Sequence, residues 1–168
     1  ASDPGFTIYV TGFQDLAVAG TSQPVTGLIA GTAYYYQVRA TNSSLTSASS
    51  TPPITTVTLP VAPTPTAATS ITTTSFQANW GAVTGATGYQ LDVANDAGFA
   101  SYVSGFQSLA VAGTSQSVAT GLTSGNTYYY RVRAGDASGW SANSTRISAS
   151  TIPPAPVLGA TTLVTSAG

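Results

Sequence analysis

The 168-residue chain has no histidine, cysteine or methionine, and its charge is confined to four basic and five acidic residues. All four bases are arginine and all five acids are aspartate. Without lysine there is no amine for a Schiff base, and without histidine no imidazole can activate a serine nucleophile. Zinc, iron and haem lose their usual ligands, so no metal or cofactor is expected. Five scattered aspartates give no sign of the paired carboxylates that glycoside chemistry needs, and the chain is expected to be non-catalytic. A net charge of −1 with no basic cluster offers nothing to track phosphates or anionic lipid headgroups, which excludes nucleic acid as an expected partner. No apolar run approaches the roughly 20 residues of a membrane span, so no membrane insertion is expected of this segment. The lack of cysteine rules out a disulfide framework and is neutral about compartment.

What is present favours strands. Hydrophobic residues make up 42% and aromatics 10%, enough for a packed core. There are 28 Thr, 21 Ser, 17 Gly and 10 Pro, while the helix formers Glu, Lys and Met are missing. This composition predicts an all-β protein.

An internal repeat organises the chain. Residues 1–40 realign on residues 94–134 with one single-residue gap near Ala119, and 28 of the 40 pairs are identical. The offset is 93 residues before the gap and 94 after it, returning to 93 at Pro60 and Pro153. A period of about 93 residues fits one small β domain and exceeds most solenoid repeats. Proline-rich joints follow each copy, with Thr58, Leu59, Pro60, Ala62 and Pro63 matching Thr151, Ile152, Pro153, Ala155 and Pro156. Such joints hold a connection extended and semi-rigid. The expected division is the C-terminal part of one repeat (1–60), a complete repeat (61–153) and the first strand of another (154–168), a piece of a longer array.

Period-two alternation marks strands in the complete repeat. Phe76, Ala78 and Trp80 share one face, as do Tyr89, Leu91 and Val93, and then Tyr128, Tyr130, Val132 and Ala134. These rows are expected to look inward, leaving Gln90, Asp92, Tyr129, Arg131 and Arg133 outward. Short strands between Gly, Ser, Asn and Thr turns predict a two-sheet antiparallel sandwich.

The chain resembles the fibronectin type III family. The resemblance rests on Trp80, on Tyr89, and on the segment from Gly121 to Ala134, in which Leu122 stands six residues before Tyr128. Leu28, Gly31, Tyr34, Tyr36, Val38 and Ala40 repeat that segment. It implies tandem immunoglobulin-like β-sandwiches, with Tyr128 and Tyr34 as corner tyrosines whose hydroxyls bond the backbone of the preceding turn. The predicted core is Phe76, Trp80, Tyr89, Leu91, Leu122, Tyr128, Tyr130 and Val132, with Leu28, Tyr34, Tyr36 and Val38 in the first copy. Phe106 to Gly113, copied from Phe13 to Gly20, departs from the family's compact pattern and predicts an added edge excursion. In flavour the chain is similar to Thr- and Ser-rich repeats of large bacterial, Bacteroidota-like secreted or surface proteins.

Several motifs invite functional readings that simpler ones outweigh. Arg133-Ala134-Gly135-Asp136 breaks the tripeptide that some family members use for cell attachment. Asp92, Asn95 and Asp96 suggest a calcium site, but Asn-Asp-Ala-Gly is a turn signal in its own right. Tyr129, Arg131 and Arg133 suggest a sugar or peptide platform, yet a cross-strand Arg–Asp pair is the simpler account. Trp140 has no aromatic counterpart in the first copy and is expected to cover its own or a neighbouring core rather than bind carbohydrate.

The leading expectation is a structural extracellular array at the cell surface, a stalk, surface layer or filament in which further copies of the repeat self-associate. The alternative is an adhesin, or a carbohydrate-associated binding or spacer module of a larger secreted enzyme.

Overall fold

A computed structural model describes residues 1–157 and Gly159. The strand expected over 154–168 therefore falls largely outside the described residues. Ten strands form among the described residues, in chain order β1 (Ala33–Tyr36), β2 (Ile54–Val57), β3 (Pro65–Thr69), β4 (Phe76–Trp80), β5 (Gly88–Ala94), β6 (Leu109–Val111), β7 (Ser115–Val118), β8 (Thr127–Asp136), β9 (Gly139–Trp140) and β10 (Ile147–Ser150). All pairings are antiparallel.

Within the complete repeat, one sheet runs β3-β4-β7 and the other β10-β8-β5-β6, with β9 beside β8. The inner faces follow from alternation: β4 is buried at Phe76, Ala78 and Trp80, and β8 at Tyr128, Tyr130, Val132 and Ala134. Beside β8 in the same sheet, β5 supplies Tyr89, Leu91 and Val93. Phe76 stacks on Tyr130 at 6.0 Å between ring centroids, and Trp80 lies 5.8 Å from Tyr89 at a tilt. Aromatic pairs of this kind add about 0.5–1.5 kcal/mol beyond their burial. Tyr130 also ties the sheets together, since its hydroxyl donates to the Thr66 carbonyl on β3.

The corner tyrosines have matching geometry in both copies. Tyr128 Oη accepts from the Thr123 amide at 2.8 Å, and Tyr34 Oη accepts from the Ile29 amide at 2.8 Å. Leu122, one residue before that amide, is buried in the core.

The first copy differs from expectation. Tyr34 is buried, but Tyr36 is 47% exposed, Val38 is 65% exposed and Leu28 is only half-buried. The cause lies in the topology: among the described residues β1 pairs only with β2, and no sheet faces them. Tyr36 and Val38 therefore do not form a core among the described residues.

The edge excursion predicted over Phe106 to Gly113 is part of a longer one that begins directly after β5, at Asn95, and it folds inward as well as outward. Its β6 extends the second sheet by pairing with Tyr89–Leu91, while Val103 and Phe106 enter the core. Phe99, 8% exposed, packs outside that core as the chain crosses the outer face of β5.

Candidate functional site

The polar residues with most potential for chemistry meet on the outer face of β5 and β8. Antiparallel register places Asp92 opposite Arg131 and Gln90 opposite Arg133. The outward position predicted for Asp92 is not a solvent-facing one, because the excursion covers it and leaves it 4% exposed. Asp92 Oδ2 accepts from Arg131 Nε at 2.9 Å, and Oδ1 accepts from the Ser108 amide at 2.7 Å. The Arg131 guanidinium lies 4.1 Å from the Phe99 ring centroid and donates to Tyr102 Oη at 3.2 Å. Arg133 donates to Ser108 Oγ at 3.0 Å. Both arginines thus pin the excursion to the sheet, and Arg131 is sandwiched rather than presented. Tyr129 stands beside them, half-buried, paired with Ala94.

The excursion also holds its own shape. Asp96 accepts from the amides of Gly98, Ala100 and Ser101, and these bonds keep its carboxyl below the usual carboxylate range. Asp3 does the same with Gly5, Thr7 and Ile8, and its carboxyl is likewise lowered. Phe6 and Phe99 share a left-handed backbone, at φ 56° and 58°, as do Asp15 and Ser108, at 50° and 52°. The turns of the excursion thus take the same backbone conformation in both copies. Asn95 closes on Ser101. The carboxylate oxygens of Asp92 and Asp96 are committed to backbone amides and to Arg131, and no metal-holding cluster occurs among the described residues.

Trp140 lies on β9, 41% exposed, with its ring against Gly135 of β8. A Cβ at Gly135 would stand 2.5 Å from that ring, so only glycine accommodates the contact. The indole covers a strand end of its own sheet. Sequence reading missed Phe99, Val103 and Phe106, whose signal was the copying of the whole excursion, including Phe6, Val10 and Phe13.

No family model matches the chain. It is similar to chitinase A1 of Niallia circulans, at 32% identity over 147 residues, which is 80% of this chain and 20% of that protein. The chain thus spans about a fifth of the length of that curated relative. Among solved structures, it overlays on the sixth fibronectin type III domain of human fibronectin type III domain containing protein 3 with a TM-score of 0.47 and 24% identity, covering 59% of this chain and 91% of that one. A β-1,2-glucanase from Parabacteroides distasonis gives 0.46 and 23%, covering 57% and 13%. The chain's own strand order, three strands packed on a sheet of five with a tyrosine corner leading into β8, determines the assignment. Strands β3 to β10 form a β-sandwich of the fibronectin type III fold.

Proposed function

We propose that the chain is a non-catalytic spacer from a longer secreted, carbohydrate-active protein. The observation that carries this reading is the likeness to chitinase A1, of which the chain matches one fifth. Its residue inventory supports it, since the acids and bases of the outer face are spent on one another and on backbone. In this role the sandwich sets the distance and orientation between functional domains, and its location is extracellular. The test is replacement of the chain, within the longer protein, by a flexible Gly/Ser linker of equal residue number. The spacer reading expects activity on insoluble polysaccharide to fall while activity on soluble oligosaccharide is kept. Equal activity on both substrates after replacement would overturn it.

A second reading, the self-associating array, is favoured by the 93-residue repeat and its near-copy sequence. Low surface charge supports it, because nine formal charges provide little repulsion between neighbours. Sedimentation of the full-length protein at micromolar concentration separates the two: a monomer rejects the array and leaves the spacer role intact.

A further inference from the structure

The two corners that precede the proline-rich joints are built alike. At the first, the Gly31 amide donates to the carbonyls of Thr58 and Leu59, and Thr58 Oγ1 donates to the Ile29 carbonyl while accepting from the Thr32 amide. At the second, the Gly125 amide donates to the Ile152 carbonyl, and Thr151 Oγ1 donates to the Thr123 carbonyl while accepting from the Asn126 amide. Gly31 and Gly125 both have positive φ, 61° and 71°.

The first corner is engaged by the following repeat. A Cβ on Gly31 would stand 3.0 Å from the Thr84 carbonyl oxygen, and one on Gly85 would stand 3.0 Å from the Gly31 carbonyl oxygen. Gly85, in the turn between β4 and β5, also has a left-handed φ of 79°. Two backbones therefore meet without side chains between them, a distance that only glycine permits on both sides. A second contact lies nearby, where Gly139 accepts Leu59, whose Cδ2 would be 3.2 Å from a Cβ there. The joint thus rests on two points, Gly31 on Gly85 and Leu59 on Gly139.

The second corner offers the same two elements. Among the described residues only Pro153 comes within 4 Å of a Cβ on Gly125, at 3.7 Å. Ile152 occupies the place of Leu59, and the two are equally exposed, at 50% and 49%, so the difference between the two corners lies at Gly125. We propose that Gly125 and Ile152 form a docking surface for a further copy of this repeat, whose turn between second and third strands packs on Gly125 as Gly85 packs on Gly31. The partner is a following repeat joined through Pro153, and the joint fixes one orientation between successive sandwiches. A spacer and an array would both use it, so its test does not depend on which reading above holds.

The chain has no native cysteine, which allows spin labels to be placed at will. In the chain itself, labels at Ser43→Cys and Ser117→Cys report the first joint by double electron–electron resonance. In a version carrying a second copy of residues 61–153 after Pro153, labels at Ser117→Cys in each copy report the second joint. A single narrow distance peak is expected across both. Gly85→Val in the first copy is expected to broaden only the first joint, and Gly125→Val only the second. Should Gly125→Val unfold its sandwich, seen as loss of the cooperative melt, Gly85→Val in the added copy gives the same reading from the opposite side. A broad distribution across the second joint in the parent, or a narrow one retained after both changes, would overturn the proposal.

Discussion

Asp92 and Arg131 face each other across β5 and β8 and form a 2.9 Å ion pair, with the carboxylate sealed beneath the excursion and the guanidinium laid on Phe99. The pair belongs to the part of the sandwich that is least ordinary, since it fastens a locally folded loop over a sheet face that would otherwise be wet. Removing one partner leaves the other charge stranded.

Arg131→Ala is expected to destabilise the complete repeat by about 2–4 kcal/mol, near the lower end for a broken buried pair because the Arg131 side chain keeps some access to water. Asp15→Ala, which removes the exposed pair with Arg39, is expected to cost under about 1 kcal/mol. Urea titration of both variants checks the contrast, and equal midpoints would contradict it.

Core and corner separate by magnitude. Trp80→Ala is expected to cost about 3–5 kcal/mol through the cavity it leaves. Tyr128→Phe is expected to cost about 1–2 kcal/mol through the unpaired Thr123 amide. Because Trp80 Nε1 has no hydrogen-bond partner among the described residues, Trp80→Phe is expected to lose packing only and to fall well below Trp80→Ala. Overlaying melts for Trp80→Ala and Tyr128→Phe would refute the assignments.

The pH response has a worked sign on each side. Asp3, Asp96 and Asp136 have carboxyls lowered from the ordinary 3.8, the first two mainly by backbone amides and Asp136 mainly by the Ser138 hydroxyl. A lowered folded value means stabilisation present above 3.8 and lost as pH falls through the folded value. Burial raises the Tyr130 hydroxyl from its ordinary 10.0, so its contribution is complete below 10 and lost as pH rises through the folded value. Stability is expected to be flat from about pH 5 to 9, with declines beyond both limits; thermal melts across pH 2 to 12 check this, and Asp96→Asn is expected to weaken the acid decline.

Residues 1–60 alone are expected to show no cooperative melt. Their β1–β2 hairpin exposes Tyr36, Val38 and Ile54, and an isolated two-stranded hairpin is marginal in water. A sigmoidal transition in circular dichroism would contradict this.

The sandwich itself was legible because period-two rows such as Phe76-Ala78-Trp80 specify which face is buried, and the doubled Leu-to-Tyr spacing specifies the corner. The burial of Asp92 was not, because alternation assigns a residue to a face of its sheet and says nothing of a loop folding back across that face. Phe99 and Phe106 were hidden for the same reason, lying in irregular backbone without a period. The approach of Gly31 to Gly85 joins turns of different repeats 54 positions apart, and turn glycines carry no mark that distinguishes a partner from an ordinary bend. Tyr36 and Val38 have core-type sequence, yet burial requires an opposing sheet.

The proposed spacer role without catalysis is tested by incubating the purified chain with insoluble chitin and with β-glucan, reading released reducing ends and the fraction of protein pelleted with the polysaccharide. No reducing ends above buffer are expected, with the protein left in the supernatant. Sustained release of reducing ends by the chain alone would contradict its non-catalytic nature, and saturable retention on the pellet would contradict its role as a spacer.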